Sequence, residues 1–133
     1  MKPRGNEKVT ETPISKLWFE GDILLSAAKR TPRTLGKTME HFKVLKELLR
    51  GRKVFSLVDF TQAGITDREA RQYIRMQAPE LYKGLAVVSR TQAGKMIAQP
   101  YFALGSPDLP IKYFSDVKKA KAWLEEQMRK KSK

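Results

Sequence analysis

The side chains that could do chemistry gather in two stretches. One is Asp59-Phe60-Thr61 followed by Ile65-Thr66-Asp67-Arg68, which places two carboxylates and two hydroxyls within ten residues. The other is residues 29–53, with nine basic residues against two acidic ones, a local charge of +7. A pair such as Asp59 and Asp67 could divide acid and base roles. Each also has an ordinary role, Asp59 at a strand end and Asp67 in the first turn of a helix, where the dipole favours an anion. The single histidine, His41, stands on a helix flank among lysines and reads as a solvated surface group. There is no cysteine. These counts exclude a disulfide scaffold, a zinc finger, a thiol enzyme and a multi-histidine metal centre. The nucleophile-elbow and dinucleotide glycine motifs are absent. Ala93-Gly94-Lys95-Met96 contains the Gly-Lys of a phosphate loop, but Ser89 stands where its first glycine belongs and Met96 where its Ser/Thr belongs. No catalytic, cofactor or metal residue emerges, and the sequence reads as that of a non-enzyme.

Charge is the stronger signal. Lys+Arg number 27 against 14 Asp+Glu, a formal +13. Arg68, Arg71 and Arg75 fall within about 60° of one helical arc. Arginines so grouped can bind phosphates or an acidic partner. Aromatic RNA-binding motifs and the helix-turn-helix pattern are missing, and Phe42, Phe114 and Trp123 stand at core spacing.

The elements that must position these groups follow from periodicity. Ile14 to Glu20 alternates with period two and carries Trp18 and Phe19, so it reads as a strand. Gly21-Asp22 signals a turn, and Ile23 to Ala28 reads as a strand buried on both faces. Leu35, Met39, Phe42, Leu45 and Leu49 recur at helical spacing, closed by Gly51. Val54 to Val58 is a buried strand ending at Asp59. Thr66-Asp67-Arg68-Glu69 has the form of a capping box opening a helix that Pro79 stops. Leu85 to Ser89 is a further strand, and Thr91 caps a helix reaching Pro100. Ile111 to Phe114 is the last strand. Ser115 caps a final helix with Val117, Ala120, Trp123, Leu124 and Met128 in one stripe. The order β-β-α-β-α-β-α-β-α predicts a single α/β domain with a mixed, mostly parallel sheet and flanking helices.

Three segments then resemble a known family. Phe114 to Leu124 looks like the closing strand and helix of the STAS-type, SpoIIAA-like domains, the anti-sigma-factor antagonists and their uncharacterised bacterial relatives. Leu57 to Thr61 with Ile65-Thr66-Asp67 looks like their strand, phosphorylation loop and helix start. The opening hairpin with Trp18 and Gly21-Asp22 fits as well. The resemblance covers about residues 14–128. It implies a SpoIIAA-like (βα) superhelix and regulation through protein–protein docking rather than catalysis. One departure stands out: Arg68-Glu69-Ala70 follows Asp67 where antagonists carry a phosphorylatable serine. Thr61 and Thr66 are the hydroxyls that remain nearby.

In a parallel (βα) array the strand-to-helix loops emerge along one edge, where open α/β folds place ligands. That edge is predicted to gather Lys29, Arg30 and Arg33, then Asp59, Thr61, Thr66 and Arg68, then Arg90 and Thr91, then Ser115 and Asp116. Arg71 and Arg75 extend it along their helix. Helix N-termini there favour anions. The expected partner is another protein, with nucleic acid or another polyanion as the alternative; a homodimer is compatible with either. No apolar run approaches the about 20 residues of a membrane helix, so no membrane insertion is expected and the cytoplasm is the expected location. Residues 1–13 read as a flexible arm, 14–128 as the domain and 129–133 as a basic tail.

Overall fold

The structure, a computed structural model, describes residues 1–131. Ser132 and Lys133, the end of the basic tail, lie outside the described residues. The elements are β1 (Thr10–Glu11), β2 (Ser15–Glu20), β3 (Ile23–Ala28), α1 (Leu35–Leu49), β4 (Val54–Asp59), α2 (Arg68–Leu81), β5 (Tyr82–Val88), α3 (Gln92–Phe102), β6 (Ile111–Phe114) and α4 (Val117–Lys131). The six strands lie side by side in chain order. β1, β2 and β3 pair antiparallel, and β3 to β6 pair parallel. This is the mixed, mostly parallel α/β sheet expected from the element order.

Every residue of β4 is buried, and all of β5 except Lys83. Central parallel strands lose both faces to helices, so they read as continuous apolar runs. On one face α1, α2 and α3 bring Phe42, Leu45, Leu49, Ile74, Ala78 and Tyr101 onto Leu24, Val58 and Leu85. On the other, α4 brings Ala120 and Leu124 onto Trp18, Leu25, Leu57 and Val88. No helix of the described residues is long and apolar enough to cross a membrane.

Several local expectations need correction. Leu35 and Met39 are exposed, and Thr38 and His41 take the inner positions of α1 beside Phe42. His41 is not on the surface, because Thr12 reaches it there and gives Nδ1 a partner at 2.9 Å. Thr12 belongs to the segment read as a flexible arm. Its side chain is buried, and Thr10 and Glu11 before it pair with Leu17 and Lys16. Arg129 to Lys131 are helical, extending α4 into the segment read as a tail.

The helix ends also differ. The left-handed turn after α1 is shared by Arg50 and Gly51, at φ 51° and 82°. Thr66 does not cap α2. Asp67 is the N-cap, and no side-chain cap bond forms. The reason is a bridge between loops: Arg33 donates its N–H to Ile65 O at 2.8 Å and accepts the N–H of Asp67 at 3.1 Å. That pairing fixes Thr66, whose Oγ1 is buried without a partner. Pro79 lies inside α2, which continues to Leu81. Buried Ala78 and Leu81 hold that last turn to the core, and packing overrides the local bias against helix before proline. Thr91 does cap α3, accepting the N–H of Gly94 at 3.0 Å. Asp116, not Ser115, caps α4 by accepting the N–H of Lys118 at 2.8 Å.

Candidate functional site

The last complete rung of the sheet runs Lys16, Ala27, Asp59, Val88, Phe114 across β2 to β6. Residues paired across strands share a face, so Lys16 and Asp59 point to the side that α4 covers. α4 packs on β4, β5 and β6. Beside it Lys16, Trp18 and Ala27 contribute to an open cleft of about 720 Å³, with Lys29, Arg30, Asp59, Thr61, Gln62 and Arg90 around it. Met1, Lys2 and Pro3 form a further wall, and Met1 packs against the core beneath α4.

The β4 end is built around one carboxylate. Asp59 Oδ1 accepts the N–H and the hydroxyl of Thr61 at 2.9 and 2.6 Å. Thr61 Oγ1 in turn accepts the N–H of Arg90 at 3.1 Å, and Thr91 Oγ1 donates to the Thr61 carbonyl at 3.1 Å. The loops after β4 and β5 are thereby tied together. The amine of Met1 lies 3.7 Å from Asp59 Oδ2. Arg30 Nε donates to Gln62 at 3.0 Å, which joins the loop after β3 to the loop after β4. Lys29 donates to the Thr12 carbonyl at 2.7 Å and pairs with Glu11 at 2.9 Å. The hydrogen bond from Lys29 holds the exposed Glu11 carboxyl below its ordinary range.

Of the residues predicted at this edge, the structure brings Lys29, Arg30, Asp59, Thr61 and Arg90 together. Thr91 supports the cleft through Thr61 without lining it. Arg33 is turned inward and buried, as is Thr66. Arg68 is exposed on α2 and outside the cleft. Arg71 donates to the Thr66 carbonyl at 2.9 Å and lies with Arg75 beside Pro100 and Tyr101, away from the cleft. Ser115 and Asp116 are exposed and do not line it. The arginine row on α2 and the cleft are therefore separate surfaces.

Lys16, Trp18 and Gln62 join the cleft without having been expected there. For Lys16 and Trp18 a signal existed: the hairpin runs β2 back along β3, so the start of β2 must sit at the C-terminal ends of the parallel strands. Period-two alternation then puts Lys16 and Trp18 on one face. For Gln62, exposed in a loop, the sequence offers no such mark.

The cleft holds five cationic side chains, Lys2, Lys16, Lys29, Arg30 and Arg90, against the single carboxylate of Asp59. His41 is buried and does not line the cleft, so it brings no imidazole to this surface. Among the described residues no group of three or more His, Cys, Asp or Glu could hold a metal ion.

Among the curated proteins nothing matches this sequence. Among solved structures, an uncharacterised protein of the DUF3478 family from Shewanella loihica PV-4, with a SpoIIAA-like fold, superposes with a TM-score of 0.62 at 14% identity. The match covers 93% of this chain and 99% of that one. At that identity the likeness carries the fold, and it establishes the SpoIIAA-like architecture that the strand order and the first hairpin suggest. The model of a domain of unknown function, DUF7793, matches residues 17–128, from the middle of β2 to the end of the buried stripe on α4, and the chain belongs to that family.

Proposed function

We propose that this domain is a non-catalytic docking module whose cleft at the C-terminal strand edge receives an acidic segment of a protein partner. The observation that carries the reading is the charge of the cleft: Lys29 is paired with Glu11, but Lys2, Lys16, Arg30 and Arg90 stand in no ion pair among the described residues, and the Asp59 oxygen nearest Thr61 already accepts two hydrogen bonds. The apolar side chains of Trp18, Ala27 and Ala28 among the lining residues suit a peptide better than a bare phosphate. The volume falls in the range of ligand sites. The resemblance to anti-sigma-factor antagonists, which work by docking, supports the same reading.

The test is a titration of a labelled oligo-glutamate peptide against two variants of equal net charge. One carries Lys16→Glu, Arg30→Glu and Arg90→Glu; the other carries Arg52→Glu, Lys53→Glu and Lys83→Glu at the opposite end of the sheet. The first should weaken binding by at least about tenfold more than the second, a difference of about 1.4 kcal/mol. Equal losses would mean that net charge alone binds the peptide.

A second reading has its own support. Arg52, Lys53, Lys83 and Lys131 line another open groove at the opposite end of the sheet, so positive charge is not confined to one edge. A domain charged at both ends is suited to non-specific polyanion binding. Duplex DNA would then bind both variants with similar loss, and log K would fall against log salt with a slope of about −0.9 per phosphate neutralised.

A further inference from the structure

A small cavity lies inside the larger core, between the sheet and helices α1, α2 and α3, separate from the cleft. Its volume is about 20 Å³, and its polar lining comes from Ser26, Arg33, His41, Tyr82 and Tyr101. Room of that size holds one water-sized particle. Arg33 is 4% exposed, and its Nε and Nη1 have no hydrogen-bond partner. Nη2 reaches only the Tyr101 hydroxyl, at 3.5 Å, and the Phe60 ring covers the guanidinium at 5.2 Å. None of the ion pairs among the described residues involves Arg33.

A guanidinium stays charged in any protein interior, and an unpaired buried cation is costly. A cation–π contact offsets part of that cost and supplies no negative charge. Its backbone is held by hydrogen bonds to Ile65 and Asp67, which keep this stretch of loop against the core.

The neighbouring groups are also donors. Thr12 Oγ1 already accepts the N–H groups of Ile14 and Ser15, at 3.2 and 2.9 Å. Its hydroxyl proton has two acceptors in reach, Ser15 O at 3.3 Å and His41 Nδ1 at 2.9 Å, and donation to the nearer Nδ1 puts the ring proton on Nε2. The neutral ring thus offers an N–H rather than a second lone pair. Burial, followed by the charge of Arg33, lowers the His41 pKa to about 3, and burial raises that of the Tyr82 hydroxyl. Both remain neutral, which leaves Arg33 as the one charged group lining the cavity.

We propose that this cavity is an interior binding site for a single small monovalent anion of halide size, held by Arg33 Nε and Nη1 with donors from His41 and Tyr82. A bound anion would neutralise Arg33 and fasten the loop after β3 to the loop before α2. Water fits the space and satisfies donors without neutralising the charge, so it is the competing occupant. The inference is independent of what binds in the cleft.

Two measurements test it. Crystals of the wild-type protein soaked in sodium bromide should show an anomalous peak within hydrogen-bond reach of Arg33 Nε and Nη1. In solution, melting should be followed while chloride replaces isethionate, an anion too large for the cavity, at constant ionic strength. Chloride should raise the wild-type Tm by a few degrees in a saturable way, and the rise should disappear in Arg33→Met. That variant removes the charge and keeps much of the volume, and it should fold, because apolar replacements of buried ions are often neutral or stabilising. Should it fail to fold, the bromide peak decides alone. Water density at Arg33, bromide found only on surface lysines, or equal melting in the two salts would each overturn the assignment.

Discussion

The hydroxyl of Thr61 donates to Asp59 Oδ1 across 2.6 Å, and the same oxygen atom of Thr61 accepts the backbone N–H of Arg90. One hydroxyl thus joins the carboxylate that ends β4 to the second residue beyond β5. Aspartate and threonine two residues apart favour such turns, because a short side chain can satisfy nearby N–H groups. In this chain the turn also fixes the spacing of Asp59 and Arg90 across the cleft. It occupies the Thr61 hydroxyl, while the Thr66 hydroxyl is buried. A phosphate added to Thr61 would stand against the Asp59 carboxylate and be repelled.

Thr61→Val keeps the size of the side chain and removes both bonds. Asp59 loses one donor, and the Arg90 N–H loses its acceptor. A stability loss of about 1–3 kcal/mol is expected from urea melts, the range for an unmade bond to a charged or sheltered group. Thr61→Ser should recover most of it. A Val variant as stable as the parent would show that the turn is held by the Thr61 N–H alone.

His41 makes the protein sensitive to acid. Its pKa falls from 6.5 to about 3, chiefly because the ring is buried and secondly because Arg33 is near. The unfolded chain therefore takes up a proton near pH 6.5 that the folded chain refuses until about pH 3. The neutral ring imposes no penalty above pH 6.5, and stability declines as pH falls between those values by up to about 1.4 kcal/mol per unit. Carboxylates contribute their own acid sensitivity, so the measurement is a difference. Between pH 7 and pH 4 the stability of wild type relative to His41→Gln should drop by roughly 3 kcal/mol. A pH-independent difference would show that the ring titrates normally.

The element order from β2 onward was legible because β4, β5 and β6 are short apolar runs separated by helical spacing, and the turn Gly21-Asp22 marked the antiparallel reversal from β2 to β3; the two-residue β1, which also pairs antiparallel, has no apolar pattern to mark it. What failed did so for long-range reasons. His41 looked solvated because its helix flank is basic, and Thr12, the residue that admits it to the core, lies 29 positions away. Arg33 counted as a surface cation because arginine seldom enters a core without a partner. Its loop is pulled in by a backbone bridge to Ile65 and Asp67, which no local pattern announces. The same bridge defeats the capping box at Thr66. Of the expected edge, Asp59 and the residues that follow β3, β4 and β5 most directly, Lys29, Arg30, Thr61 and Arg90, met in the cleft, whereas Ser115 and Asp116 after β6 did not, and Arg68, Arg71 and Arg75 follow the direction of α2 away from it.

The final helix should prove part of the core, with its two central residues contributing unequally. Leu124 is fully buried, whereas Trp123 is half-buried against Phe114, ring centroids 5.8 Å apart. Leu124→Ala should cost about 2–5 kcal/mol, the range for a buried leucine. Trp123→Ala should cost less, because part of the ring already meets water. Chemical denaturation of the two variants gives the order, and a larger loss at Trp123 would mean that α4 is rotated from its described position.

Gly94 is required by a close approach, not by its backbone angles. A Cβ at this position would collide with the Phe60 carbonyl and with Ser89 Oγ. The obstacle at Phe60 is backbone, which cannot swing aside as a side chain can. Phe60 donates its N–H to Val88 O at 2.7 Å, so moving it strains the junction of β4 with β5. The same junction carries the turn of Asp59 and Thr61. Alanine normally gains helix propensity of about 1 kcal/mol over glycine, so a site without constraint would be stabilised by the change. Gly94→Ala is instead expected to destabilise by about 1–3 kcal/mol, the cost of overpacking. It should also weaken oligo-glutamate binding at the cleft, since the wall at Thr61 and Arg90 must shift. Thermal melts give the first result and peptide titration the second. A more stable Gly94→Ala protein would show that the first turn of α3 stands further from Phe60, and that the Gly-Lys pair there needs another explanation.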